Sequence, residues 1–313
     1  MYVHRRRTRI EIWTPAKLNL FLEVLGRRAD GYHEIETLMV PINLFDTLRL
    51  SRRDDDRVQL TTRWAPSRRT DASREEATEL PPADKNLAFR AVECLRQRAA
   101  VTTGVDLELI KRIPAAAGLG GGSSDAAAAL IGANELWNLK WSRQRLAAVA
   151  AELGSDVPFF LHHAPAWCRG RGERIEPCWL GADHHFVVMC PPQGLSTADV
   201  YARVQLHGPR VSADRSRSVP RGPRDLARSM FNRLQPAAER IAPWLQTVQQ
   251  QFHQLDLLGH QMSGSGSAYF GVCRSARHAL RVAAEVRSRA VGRVFCAAAV
   301  GGGPHCIIPV SQN

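Results

Sequence analysis

Lysine is nearly absent from this chain. Of 42 lysine and arginine residues, only Lys17, Lys85, Lys111 and Lys140 are lysine. Where charge alone is wanted the chain uses arginine, so each lysine is a candidate for a task that needs a compact ammonium group. Long apolar runs are also missing. The longest, residues 294–300, has the length of a strand, against the roughly 18 to 20 residues that span a bilayer. Arg5, Arg6, Arg7 and Arg9 could open a signal peptide, but Lys17, Asn19 and Glu23 interrupt the stretch where its apolar part would lie. The expected compartment is therefore the cytoplasm. The seven cysteines include no CxxC pair, so neither a zinc ribbon nor a disulfide framework is readable, and buried reduced thiols are expected. There is no GxxxxGK[ST] loop, no protein-kinase signature and no GxSxG elbow, and GxGxxG fails because Ser123 stands at the third glycine.

What is present has the balance of an ordinary globular chain, with 313 residues, 44% hydrophobic and 23% charged, enough for one large or two medium domains. A formal net charge of +12 suits nucleic acid, an anionic membrane or a phosphorylated small molecule, and charge alone does not choose among them. Two segments, 52–84 and 207–223, lack apolar periodicity and are expected to be loops or insertions. Residues 18–24 and 105–110 alternate like half-buried strands, whereas 86–99, 125–137 and 142–153 carry apolar residues at helical spacing. Past residue 180 the pattern restarts. It reads as strand 186–190, helical stretches 197–204 and 236–255, strands 260–263 and 267–273, helix 276–290 and strand 293–299. That β-α-β-β-α-β order is the split βαβ arrangement of a ferredoxin-like domain, and it places a boundary near residue 180.

The strongest chemical signal is the run Pro114, Ala115, Ala116, Ala117, Gly118, Leu119, Gly120, Gly121, Gly122, Ser123, Ser124, followed by Asp125 and an alanine-rich stretch. Small residues let backbone N–H groups approach a ligand closely, and Ser123 or Ser124 is expected to cap the helix that follows. A helix N-terminus adds partial positive charge, so nucleotide phosphates are the natural guest. A plain turn from strand to helix would not need three consecutive glycines, each of which costs backbone entropy.

This run resembles the second motif of the galactokinase, homoserine kinase, mevalonate kinase and phosphomevalonate kinase superfamily. Met262 to Gly271, containing Gly264, Ser265 and Gly266, resembles the third motif. Within that superfamily, Pro15 to Leu38, with Asp30-Gly31-Tyr32-His33, is similar to the opening of the 4-diphosphocytidyl-2-C-methyl-D-erythritol kinases. The fold implied is α+β, a two-domain small-molecule kinase fold. Residues 1–180 would form an N-terminal ribosomal-protein-S5-domain-2-like nucleotide and catalytic domain, and residues 181–313 a C-terminal ferredoxin-like domain.

The resemblance implies ATP and Mg2+ as cofactors, Lys17 and Asp156 as the catalytic pair, and Asn86, Leu87 and the run 114–124 as ATP contacts. It implies Asn19, Tyr32, His33, Thr197, Tyr201, Gly264, Ser265 and Gly266 as substrate contacts, His33 reading the edge of cytosine while aromatics stack on its face. The ligands of the metal stay open. Read alone, Lys17 would be a surface lysine reaching for water, Asp156 an aspartate stabilising a turn, and Met262 to Ser267 a tight turn. Asn232-Arg-Leu departs from a frequent Asn-Asp-Leu and is read as a surface change. The expected activity is phosphorylation of the 2-hydroxyl of 4-diphosphocytidyl-2-C-methyl-D-erythritol in the non-mevalonate isoprenoid pathway. The partner is a small molecule, with no nucleic acid or membrane, and the oligomeric state is open. The alternatives are another kinase of the superfamily, homoserine or phosphomevalonate kinase-like, and remotely a basic RNA-binding protein, for which no RNP-like aromatic run is found.

Overall fold

The structure is a computed structural model that describes residues 1–6, 8–66, 80–181, 183–206, 220–289 and 292–301. Residues 67–79 and 207–219 of the two expected loops lie outside the described residues. The chain divides into two compact units that interleave in sequence. The first holds Met1–Ala16, Leu44–Ala115 and Gly120–His163, and the second holds Lys17–Asn43, Ala116–Leu119 and the chain from Ala164 onward. No helix among the described residues is long and apolar enough to cross a membrane.

The first unit contains β1 (Tyr2–Arg6), the start of β2 (Arg9–Arg27), the end of β3 (His33–Arg52), β4 (Val58–Trp64), α1 (Leu87–Arg98), β5 (Val105–Lys111), α2 (Gly121–Leu136), α3 (Arg143–Leu153) and α4 (Val157–Phe160). The strand order is β1-β2-β3-β5-β4. Alternation explains the sheet, because successive side chains of a strand point to opposite faces. Leu48, Leu50, Leu107 and Leu109 are buried, with Leu48 opposite Leu109 and Leu50 opposite Leu107. Between them, Arg49 and Glu108 pair at 3.0 Å, and Arg49 reaches Glu11 at 2.8 Å. Helix α2 packs closely in this unit because Gly132 has no side chain, and a Cβ there would come within 2.5 Å of Leu50 and 3.1 Å of Ile12.

Two expectations for this unit are corrected. Segment 52–84 is not all loop, since β4 pairs parallel with β5 along its whole length. Its half-buried Val58, Leu60, Thr62 and Trp64 alternate with exposed residues, a weak edge-strand pattern that the surrounding charges hide. Helix α2 begins at Gly121 instead of Asp125, and Gly120, at φ 69° and ψ 17°, occupies the cap position without a side-chain bond. Ser123 and Ser124 thus sit inside the first turn and do not cap it.

The second unit takes the rest of β2 and β3 and adds β6 (Ala166–Gly170), β7 (Arg174–Pro177), β8 (His185–Cys190), α5 (Thr197–Ala202), α6 (Pro223–Ser229), β9 (Phe231–Asn232), α7 (Gln235–Ile241), α8 (Trp244–His253), β10 (Gly259–Met262), β11 (Tyr269–Cys273), α9 (Ala276–Arg289) and β12 (Arg293–Ala298). Strands β10-β11-β8-β12 form an antiparallel sheet in that order, the ferredoxin-like arrangement. The single helical stretch expected over 236–255 is two helices, because Pro243 has no N–H with which to continue the first. Val187 and Met189 of β8 share a core with Val282, Ala283 and Val286 of α9 and with Leu245, Val248 and Phe252 of α8.

Asn86 starts α1 by accepting the N–H of Ala88 at 2.9 Å. Asn86→Ala should therefore lower stability by about 1 kcal/mol in urea denaturation, and Asn86→Ser, which can still cap, should recover most of it. Equal stability of the alanine variant and the wild type would remove the capping role.

Candidate active site

In the first unit, the expected anion site lies at the start of α2. No side chain caps the helix, so its first-turn N–H groups remain available at the positive end of the helix dipole. Ser124 is fully buried in that turn and its Oγ finds no hydrogen-bond partner among the described residues. Leu87 lies 3.7 Å from where a Cβ of Gly122 would be, so two expected nucleotide contacts meet. A Cβ on Gly121 would stand 3.0 Å from Ile113 and 3.3 Å from the Lys111 ammonium.

That ammonium belongs to a buried ionic cluster that motif reading misses. Lys111 Nζ donates to Asp46 and, at 2.6 Å, to Asp125 Oδ2. Thr14 Oγ1 donates to Asp125 Oδ1 at 2.9 Å, and Asp46 Oδ1 accepts the N–H groups of Arg112 and Ile113. Burial pushes the Asp125 carboxyl above its usual range, and the adjacent Asp46 charge adds to the effect, against the pull of Lys111 and Thr14. Burial works against the charge of Lys111, but Asp125 and Asp46 outweigh it and its pKa is raised. The scarcity of lysine marks Lys111 in the sequence. Asp46, far from any motif, carries no such mark.

Asp156 stands at the cap position of α4, half-buried, and its side chain makes no capping bond to that helix.

In the second unit, the strand β2 is buried on both faces from Lys17 to Val24, and its polar members Lys17, Asn19 and Glu23 fall on one face because they are spaced by even numbers. Lys17 is only 3% exposed, so it is no surface lysine. Its Nζ donates to Asn19 Oδ1, and its N–H donates to Leu119 O at 2.9 Å. Asn19 Nδ2 donates to Thr37 Oγ1 at 2.9 Å, and Thr37 in turn donates to Phe21 O at 2.6 Å.

The two glycine-bearing motifs meet in the same place. Ser263 Oγ donates to Gly118 O at 3.1 Å and accepts the N–H of Asn19 at 3.3 Å, while Ala268 N–H donates to Ala117 O at 3.0 Å. Gly118, at φ 73°, has no room for a side chain, because a Cβ would collide with the carbonyl oxygen of Ser263 and come within 3.0 Å of that of Gly266. A Cβ on Gly264 would stand 3.2 Å from Lys17 Nζ. Ser265 Oγ and Thr197 Oγ1 share a hydrogen bond of 2.8 Å. The reading of Asn232-Arg-Leu as a surface change is corrected, since Arg233 makes two 2.7 Å bonds to Glu23, which is 1% exposed.

The expected base-reading residues also gather in this unit. The His33 and Tyr201 rings are 5.1 Å apart and 33° from parallel, and Tyr201 follows Thr197 by one helical turn on α5. Burial, then the charge of Arg27, lowers the pKa of His33, which favours the neutral imidazole. Tyr32 is 51% exposed, and the Arg171 guanidinium lies over its ring at 4.8 Å. Lys17 belongs to the second unit and Asp156 to the first.

The fold and the glycine motifs define a class. Residues 86–164 match the family described as GHMP kinases N terminal domain, and residues 219–292 match GHMP kinases C terminal. The crystal structure of homoserine kinase from Cytophaga hutchinsonii shares the fold, with a TM-score of 0.72 over 96% of this chain and 98% of that one at 18% identity. Sequence identity narrows the class. A 4-diphosphocytidyl-2-C-methyl-D-erythritol kinase from Pelotomaculum thermopropionicum is 39% identical over 276 residues, 87% of this chain and 92% of the relative. Another from Syntrophotalea carbinolica is 37% identical over 292 residues, 90% and 95% of the two chains. A crystal structure of 4-(cytidine 5'-diphospho)-2C-methyl-D-erythritol kinase superposes with a TM-score of 0.76 at 36% identity, covering 93% of this chain and all of that one. The chain belongs to the 4-diphosphocytidyl-2-C-methyl-D-erythritol kinase family of GHMP kinases.

The buried cluster has a pH signature. Above the ordinary Asp125 value of 3.8, the folded state keeps a proton that the unfolded chain has already lost, so this group's contribution to stability falls as pH rises through the raised pKa. Asp125→Asn removes that dependence. Urea denaturation at pH 5 and pH 7 should show stability falling with pH more steeply in the wild type than in Asp125→Asn, and parallel profiles would contradict the raised carboxyl.

Proposed function

We propose that this chain transfers the γ-phosphoryl group of ATP to the 2-hydroxyl of 4-diphosphocytidyl-2-C-methyl-D-erythritol, giving the 2-phosphate and ADP. The observation that carries this reading is the convergence of Lys17, Asn19, Gly118 and Gly264 in the second unit, joined through Ser263, in a chain of this family. Asp156 accepts the proton of the attacking hydroxyl, and Lys17 holds the reacting oxygen in line and offsets negative charge. Phosphoryl transfer is largely loose in character, so positioning and charge neutralisation matter more than the strength of the base.

Residues 114–124, with Asn86 and Leu87, hold ATP, the triphosphate against the start of α2. A magnesium ion carried by the triphosphate would find a hydroxyl ligand in Ser124 or Ser123, and the buried, unpartnered Ser124 Oγ fits that use. Bound there, it neutralises phosphate charge. Residues 1–180 act as the nucleotide and catalytic part, and residues 181–313 as the ferredoxin-like part. His33 reads cytosine, Tyr32 and Tyr201 stack on it, and Thr197, Asn19 and Gly264 to Gly266 hold the rest of the substrate. The partner is a small molecule and the compartment the cytoplasm.

The decisive assay offers purified protein ATP and magnesium with either the cytidine substrate or homoserine. Transfer to the first and not the second is expected, and comparable transfer to homoserine would move the chain to another branch of the superfamily. Asp156→Asn should lower kcat by about 10² to 10⁴ with ATP affinity preserved, because a positioned base is lost while the phosphate contacts stay. Turnover near the wild-type rate would remove Asp156 as the base.

Cytosine and uracil present inverted donor and acceptor patterns, and each group left unpaired costs about 1 to 3 kcal/mol. The wild type should therefore favour the cytidine substrate over its uridine analogue at least about tenfold. His33→Ala should narrow that ratio, whereas Tyr201→Ala should weaken both substrates together by loss of stacking. An unchanged ratio in folded His33→Ala protein would refute the assignment of His33.

A further inference from the structure

Between α6 and α7 the chain makes a two-residue strand, β9, which pairs parallel with β2 so that Phe231 lies opposite Phe21 and Asn232 opposite Leu22. Arg233 N–H then donates to Leu22 O at 2.8 Å, and the Arg233 guanidinium closes on buried Glu23. The strand that carries Lys17 and Asn19 thus holds residue 232 in register. The Asn232 amide is 7% exposed and fully engaged. Its Nδ2 donates to Met262 O at 2.8 Å and to Gly264 O at 2.9 Å, and its Oδ1 accepts the N–H of Leu234 at 3.0 Å.

The loop at 262–266 is tied from other directions as well. Gln235 Oε1 accepts the Met262 N–H at 3.1 Å, Ala268 O accepts the Ser263 N–H at 2.9 Å, and Ser263 O accepts the Gly266 N–H at 3.0 Å. Asn232 is the group that engages the carbonyls on either side of Ser263. With the Gly264 oxygen turned toward the amide, the Ser265 N–H of the same peptide faces the opposite way and has no acceptor among the described residues, whereas the Ser263 N–H, in the peptide of the Met262 oxygen, is held by Ala268 O. A peptide flip would instead present carbonyl oxygens to an anionic guest.

We propose that Asn232 is a positioning residue. By holding the carbonyls of Met262 and Gly264, it fixes the third-motif loop with the Ser265 N–H available to a phosphate and keeps Ser263 on Gly118 and Gly264 beside Lys17. The effect on turnover rests on the kinase reading above, whereas the effect on the loop does not. Asn232 itself touches no reacting atom in this assignment.

Asn232→Asp keeps the shape but loses both donated bonds and sets a carboxylate against two carbonyl oxygens. Amide hydrogen exchange of the peptide covering 262–268 should become at least about tenfold faster, the local opening expected when a buried loop loses its ties. With the cytidine substrate, kcat should fall by about 10- to 100-fold, while KM for ATP changes much less, because misplacing a positioned group costs mainly the transition state. Asn232→Ser retains one donor and should fall between the two, and it serves the same measurements if the aspartate variant does not fold. Val282→Ala, a core truncation on α9 of the same unit and outside the Asn232 network, supplies a destabilised protein with the loop contacts intact, and it should keep near-wild-type kcat at a similar loss of Tm. Wild-type exchange and turnover in a folded Asn232 variant, or an equal kcat loss in Val282→Ala, would overturn the proposal. A wild-type protein inactive on the cytidine substrate would instead overturn the kinase reading and leave the exchange measurement to judge the loop.

Discussion

Two backbones approach so closely at Gly118 and Ser263 that any side chain at position 118 would collide with a carbonyl oxygen, and the candidate site depends on that approach. Several contacts near it hold together two glycine-bearing segments that lie 145 residues apart in the sequence. Ser263 bridges them with its hydroxyl, Ala268 adds a backbone bond to Ala117, and Lys17 bonds the carbonyl of Leu119. Glycine at 118 is required by both φ and space, so the motif is a packing constraint as much as a phosphate cradle.

The polar interior follows the same logic in both units. Buried charges are tolerated where they are paired and hydrogen-bonded, and an ion pair broken by loss of one partner is costly. Lys111 sits between two aspartates, and Lys17 lies on a strand with both faces covered and bonds Asn19. Both are compact ammonium groups in tight quarters, where the planar fork of arginine would need more room. The arginines do the complementary work. Arg49, Arg53, Arg169 and Arg233 bind carboxylates in forked or laddered pairs along sheet faces and edges. Exposed pairs of that kind add little stability each, so the arginine-rich surface is chiefly a charge pattern.

Much of this was legible before any coordinates. The ferredoxin-like order after residue 180 could be read from apolar runs of strand length alternating with stretches of helical spacing. The two motifs, Lys17 and Tyr32-His33 could be read from composition and resemblance. The misses have identifiable causes. Strand β4 is an edge strand whose half-buried alternation is drowned by neighbouring charge. The helix after the glycines starts early because Gly120 adopts the left-handed conformation and lets Gly121 enter the helix, which no propensity for serine or aspartate caps reveals. Arg233 looked superficial because its partner, Glu23, lies some two hundred residues earlier in the chain.

The sequence by itself determined the local vocabulary: which stretches become strands or helices, where backbone must come close enough to demand glycine, and which rare lysines are set apart. These depend on neighbours a few residues away and on steric rules that act within a turn. The family, too, lies in the letters. Only the tertiary structure decided which distant groups share a buried site. That Asp46 and Asp125 flank Lys111, that Asn19, Ser263 and Gly118 form one bonded chain, and that Asn232 holds the carbonyls of Met262 and Gly264 depend on strand register and on the helix and loops that meet those strands. Register is set by the packing of whole faces, and a shift of one residue would turn Asn19, Asp46, Lys111 or Asn232 to the opposite face of its strand.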